Sequence, residues 1–245
     1  MNGTRPIGQV LVMAAALVLA AWMLGAAFVR SRTADRFATV KGVAERNVDA
    51  DIGLWPLSFV ATDNVLTNAQ SKIESQRKTV TEFLKQNGLE AADAELQGLE
   101  VTDVQANPYQ SGPRTGDRFI VRMLLMVRSD QPEKIRDASQ KVGELVNSGV
   151  VLSSGPGGGP FGGPTFLFTK LNDLKPEMIA EASASARKAA EQFAKDSHSK
   201  IGGIRRASQG VFEILPRDQA MGIMEQGQLH KTLRVVTTVD YFLAN

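Results

Sequence analysis

Four stretches of the 245-residue chain bring together residue types that could do chemistry. Asp196, Ser197 and His198 follow one another at the end of an alanine-rich run, and Ser197 with Lys200 spells S-x-x-K, a spacing that Ser75 and Lys78 repeat. A hydroxyl beside a base is the arrangement of acyl transfer. Consecutive helix residues, however, point about 100° apart, so Asp196, Ser197 and His198 cannot converge on one atom. Two copies of S-x-x-K in one chain show how easily that pattern arises by chance. The stretch reads as a solvated helix end.

Gly157, Gly159 and Gly162 satisfy G-x-G-x-x-G. A dinucleotide-binding turn follows a strand and opens a helix, whereas Pro156, Pro160 and Pro164 crowd this loop and a strand-like stretch follows it. SSGPGGGPFGGP (153–164) therefore reads as a flexible or partner-facing loop. Metal chemistry has little to work with. The chain has two histidines, His198 and His230, no cysteine and no H-x-x-x-H pair. Asp49 and Asp51 stand at the period of a strand face, but carboxylates near a turn are ordinarily solvated. Trp55 and Phe59 read as core residues rather than a ligand platform. No catalytic, cofactor-binding or metal-ligating residue is assigned. The alternative is a small-molecule-binding module or a cryptic enzyme, which would use a cleft near the Gly/Pro loop.

The elements that would position these residues follow from hydrophobic period. Residues 7–29 contain no charge, more than the roughly 20 residues that cross a bilayer as a helix. The run is expected to stay as a membrane anchor, since a cleaved signal has a shorter apolar region, about 7–15 residues. Residues 1–36 carry net charge +3 and residues 37–245 hold 24 basic and 25 acidic groups, so the folded part is near neutral and shows no basic stripe for nucleic acid. Arg30, Arg32 and Arg36 follow the span, and by the positive-inside rule alone they would hold the following domain in the cytoplasm.

Beyond residue 36 the pattern alternates between period two and period 3.6. It predicts a hairpin over 37–63 with its turn near Glu45–Asp49, then a helix over 64–87 capped by Asp63 or Asn64 and stopped by Gly88. A second hairpin pairs 95–105 with 118–128 through the turn 107–117, and a helix covers 132–147. A strand at 165–170, a helix from Pro176 to about Ser199, and strands at 202–215 and 229–243 close the chain. In the last helix Met178, Ala182, Ala186, Ala189 and Phe193, with Ala190 beside them, predict a small-residue stripe bracketed by two large side chains. The fold class is α+β: antiparallel sheet built from hairpins with helices packed on one face, after one N-terminal transmembrane helix. The organisation is a membrane segment, 1–36, and one domain, 37–245, with two halves meeting near residue 130 as a variant.

Val40, Lys41, Gly42 and Ala44, then Val48, Asp51 and Trp55, form a G-x-A…V-x-x-D-x-x-x-W run. Together with FLKQNGLEAADAELQGLEV, with Asn107, Pro108, Tyr109, Arg118 and Phe119, and with Ala182, Ala186, Ala190, Ala194 and Gly202, this order resembles the SIMPL domain family of bacterial envelope proteins over about 37–245. The resemblance implies an exported or membrane-anchored protein, homo-oligomers, links to oxidative or envelope stress defence, and no recognised catalytic residue. It also implies a periplasmic domain, against the arginines after the span. Other protein partners are not implied. The Gly/Pro loop at 153–164 and SQG at 208–210 depart from the family pattern.

Overall fold

The structure is a computed structural model that describes residues 5–33, 36–90, 93–106, 116–153 and 163–244. Most of the turn 107–117 and most of the Gly/Pro loop, including Gly157, Gly159 and Gly162, lie outside the described residues. Helix α1 (Arg5–Thr33) contains the apolar run. Then come β1 (Phe37–Asp49), β2 (Ile52–Asp63), α2 (Leu66–Gln86), β3 (Ala94–Asp103), β4 (Phe119–Ser129), α3 (Pro132–Gln140), α4 (Gly143–Asn147), β5 (Thr165–Leu167), α5 (Leu171–Asp196), β6 (Lys200–Gln209), β7 (Glu213–Pro216) and β8 (His230–Ala244). The class is α+β with antiparallel sheets and helices packed against them, as the period predicts.

The strands form two sheets, in the orders β3-β4-β2-β5 and β1-β8-β6, with β7 also on β8. The expected first hairpin is thereby corrected. β1 and β2 are consecutive strands that enter different sheets, and only Ala50 and Asp51 separate them. Period two identifies a strand but carries no information about its partner, so sequence adjacency was the wrong guide here. Two compact units result, interleaved along the chain: residues 45–176 with 213–234, and residues 1–44 with 177–212 and 235–245.

In the first unit, Trp55, Leu57, Phe59 and Ala61 of β2 stand opposite Val127, Leu125, Met123 and Val121 of β4. All eight are buried, and Ala69, Ile73, Val80, Phe83 and Leu84 of α2 join the same cluster. Trp55 and Phe59 are core residues, as expected. Helix α2 keeps its predicted span to within two residues. Val65 occupies its N-cap and offers no side-chain oxygen, so Asp63 does the work from two residues back, accepting from Val65 N (2.9 Å) and Asn68 Nδ2 (3.4 Å). At the other end Gly88 takes φ +76°, and Gly88 N and Leu89 N donate to Lys85 O and Leu84 O, which satisfies the last carbonyls. The helix expected over 132–147 breaks into α3 and α4 around Lys141 and Val142, and the strand expected over 202–215 breaks into β6 and β7 at Gly210–Phe212. A Cβ on Gly210 would sit 2.9 Å from Val236 O, so the backbones are too close there for any side chain.

In the second unit, α5 lies on β1. A Cβ on Gly42 would stand 1.9 Å from Ala182 O and 2.4 Å from Ala186 N, which places helix backbone directly on strand backbone. The covered stripe is Met178, Ala182, Ala186, Ala190 and Ala194, a strict i, i+4 ridge. This corrects the expected stripe: Ala189 is exposed and Phe193 is 57% exposed, because the ridge winds past them. Helix α5 also starts five residues before Pro176 and encloses it. A proline this near the start removes one helical hydrogen bond and leaves the first turn intact.

Gly42→Ala is expected to lower stability by about 1–3 kcal/mol or more, and Ala186→Leu by about 1–3 kcal/mol, because neither contact can open without moving the helix. Urea midpoints at unchanged m values check this. The Lys72 ammonium, 2.8 Å from Asp63, together with the Val65 N–H, holds the Asp63 carboxyl below its ordinary range. Asp63 therefore contributes stability above its unfolded pKa and loses it as pH falls through the lower folded value. The difference in Tm between the wild type and Asp63→Asn should be largest near pH 7 and should close below about pH 4.

Candidate functional site

Several of the residues that drew attention for their chemistry make contacts that hold the fold. Helix α5 ends in a left-handed turn: His198 has φ 51°, His198 N donates to Lys195 O at 3.2 Å, and Ser199 N donates to Ala194 O at 2.8 Å. This crossed pair is a Schellman ending with histidine where glycine is usual. Ser197 Oγ donates to Ala194 O at 3.2 Å, so the serine also caps the helix. Ser75 and Lys78 line different surface depressions.

Asp49 and Asp51 part company. The Asp49 carboxylate meets His230 Nδ1 at 2.5 Å, and Asp51 accepts from Thr169 N at 2.9 Å and Thr169 Oγ1 at 2.8 Å. On the same strand pair Thr232 Oγ1 donates to Asn47 at 2.9 Å and Arg234 lies 3.4 Å from Glu45, so a row of polar cross-strand pairs ties β1 to β8. The partnership of Asp49 with His230, 181 residues apart, has no short-range signal and went unread in the sequence. Among the described residues no three His, Cys, Asp or Glu side chains gather as metal ligands would.

The concave feature closest to chemistry is a cleft of about 400 Å3 between Arg136 and Ser139 of α3, Gly163–Phe166, and the segment Gly222–Gln228. Its size falls in the range of small-ligand pockets. Phe166 forms its buried apolar wall, and Ile223 and Met224 stand 43% and 53% exposed at its rim. The segment is pinned from beneath by Lys231, a fully buried side chain whose ammonium meets the Glu225 carboxylate and donates to Glu225 O at 2.8 Å. Several of its polar groups are already engaged. Arg136 donates to Asp137 (2.9 and 3.0 Å), Ser139 Oγ donates to Arg136 O (2.7 Å), and Gln228 is bound to the backbone of Asp218 (2.9 and 3.2 Å). The cleft offers apolar shape rather than a set of convergent reactive groups. No period marks residues 217–229, which is why the sequence pointed to this place only through the neighbouring Gly/Pro loop.

The G-x-A…V-x-x-D-x-x-x-W run is explained by these contacts. Gly42 admits α5, Ala44 is buried, Asp51 binds Thr169 and Trp55 fills the core. The family model described as SIMPL, protein of unknown function (DUF541), matches residues 38–240. The chain belongs to the SIMPL family. The match spans both compact units, and Gly42, Asp51, Trp55 and the alanine ridge of α5 fall inside it. No curated protein matches this SIMPL chain.

His198→Gly is expected to raise stability by about 0.5–1 kcal/mol by relieving the left-handed strain, and Ser197→Ala to change it by less. Both are read from thermal midpoints. A loss of folded protein in His198→Gly would show that the imidazole holds the helix end by more than its backbone.

Proposed function

We propose that this SIMPL protein is a single-pass anchored protein of the cell envelope, with its domain on the periplasmic side, that acts by self-association and protein contacts rather than by chemistry of its own. The observation that carries the reading is α1. Within it Gln9–Ala27 has mean hydropathy 2.4, and its large apolar side chains stand open, Leu11 at 65% and Trp22 at 72%, with none of the described residues over them. The 19-residue stretch is about 29 Å long at the helical rise, close to the roughly 30 Å of a bilayer core. A helix apolar on all sides finds its low-energy surroundings in lipid. The periplasmic side and a part in oxidative or envelope stress protection rest on the family resemblance, which outweighs Arg30, Arg32 and Arg36 after the span.

A second reading, a module that binds a small molecule, draws on the cleft at Phe166, Ile223 and Met224. It predicts that apolar or amphiphilic small molecules raise the Tm of the protein and that Phe166→Ala, where it still folds, abolishes the shift.

The protein is expected to stay with membranes through an alkaline wash, and alkaline phosphatase joined after Asn245 is expected to be active. Release into the wash would replace the anchor by a cleaved signal. An inactive phosphatase together with an active cytoplasmic reporter would reverse the orientation.

A further inference from the structure

Among the described residues two strands are uncovered on both faces, and each lies at the rim of its sheet. They are β3 in the order β3-β4-β2-β5 and β6 in the order β1-β8-β6. By contrast β1, also at a rim, is buried at every second residue from Ala38 to Ala44. Each of the uncovered strands is ten residues long. Strand β3 carries Glu95, Glu100 and Asp103 and no basic residue, with Glu100 paired to Arg122 of β4 at 3.0 Å and Asp103 to Arg118 at 2.7 Å; β6 carries Lys200, Arg205 and Arg206 and no acidic one, with Arg205 over the Phe37 ring.

The registers sort their side chains in the same way. On β3, Leu96, Leu99 and Val101 stand opposite Leu125, Met123 and Val121, which are buried core residues. These three extend the core face of the sheet outward by one strand, yet they remain 52%, 51% and 45% exposed. On β6, Ile204 and Ala207 stand opposite Tyr241 and Val239, again buried, and Ile204 is 59% exposed. Glu95 and Glu100 alternate to the opposite face of β3, and Arg206, opposite Asp240, to the opposite face of β6.

We infer that β3 of one copy adds to β6 of a second copy of this chain. This contact rests on the self-association proposed above and gives it a surface. Side by side, the two strands set an apolar row against an apolar row on one face and acidic against basic side chains on the other. Charges and bulges also serve soluble proteins as protection against edge pairing, and both strands are bulged, at Leu96/Gly98 and between Ile201 and Arg206. Protection alone does not account for three large apolar side chains left open on β3, or for the charged residues of one edge strand being all acidic and those of the other all basic. The signs also choose the partner. β3 against β3 would face acid with acid and β6 against β6 base with base, and like charges across strands are destabilising. The contact is heterologous, with different surfaces of the two copies meeting.

The chain has no cysteine, so introduced thiols report only the contact they are placed to test. The full chain is reconstituted in vesicles as Leu99→Cys, as Ile204→Cys and as the double variant, oxidised, and run without reductant. The double variant should form a ladder of cross-linked multimers while each single variant stays monomeric. A second arm reverses the acidic edge (Glu95→Lys with Glu100→Lys) or the basic edge (Lys200→Glu with Arg206→Glu), with folding checked by circular dichroism. Each reversed chain alone should lose the multimer seen by light scattering in detergent, the two mixed together should recover it, and high salt should weaken it. A covalent dimer of Leu99→Cys alone would place β3 against β3 and overturn the inference. Multimers that survive both reversals and give no ladder would overturn it too, leaving self-association standing through another surface. Monomer throughout, in the wild type as well, would remove both.

Discussion

Among the described residues, the contact of α5 with β1 at Gly42 is the closest approach that any glycine permits. Helix carbonyl and strand Cα approach so closely that not even a methyl group fits between them. Everything on the helix face must then be small, which accounts for Ala182, Ala186, Ala190 and Ala194 in an unbroken i, i+4 series. Alanine also has the highest helix propensity, so the residue that permits the approach also stabilises the helix that makes it. The large side chains that complete this cluster come from the sheet, in Val40, Val239 and Tyr241. Backbone packed on backbone has no rotamer with which to relax, so the arrangement is rigid for reasons that need no polar contact.

The same economy accounts for the contacts that Asp49 and Asp51 make. A strand-to-strand passage of only two residues, Ala50 and Asp51, must satisfy its polar groups locally. Ala50 N donates to Leu229 O, Asp51 N donates to Leu167 O, and the carboxylates on either side of Ala50 take His230 and Thr169. Lys231 is buried for a related reason. Its stem fills space beneath the 225–227 turn while its ammonium finds the Glu225 carboxylate and carbonyl, which a buried charge requires.

How much of this was legible depends on the range of the interaction. Helix α2, its glycine stop and the pairing of β3 with β4 are written in period and in nearby residues, and they stand where the sequence placed them. The separation of β1 from β2 is not, because both alternate as strands do and the choice of partner is made by residues 56 to 201 positions away. The break between α3 and α4 and the inclusion of Pro176 in α5 are boundary effects, where local propensity is a weak guide and tertiary packing decides. The exposed Phe193 shows a subtler limit. A helical wheel ranks it with Met178 and Ala186, but the surface beneath α5 follows a ridge rather than a straight stripe. Of the cleft, only the Gly/Pro neighbour could be read, since the segment Gly222–Gln228 has no periodicity to announce it.

The long apolar helix α1 and the two exposed edge strands bear on one another. An edge contact of ten residues, with three charged side chains on each strand and the others apolar or uncharged, is weak for a freely diffusing protein. Exposed ion pairs contribute about 0–1 kcal/mol each, and an association in solution must first overcome the loss of translational freedom. Anchoring changes the second term. Copies held by α1 in one bilayer, as proposed above, would share a plane and lose much of that freedom before they meet, so the edges would act at a high effective concentration. Edges that would be a liability if made stronger, inviting irregular sheet growth, can thus remain bulged, charged and reversible. Modest exposed edges on a chain with a long apolar N-terminal helix are the combination expected of a protein that associates where it is anchored.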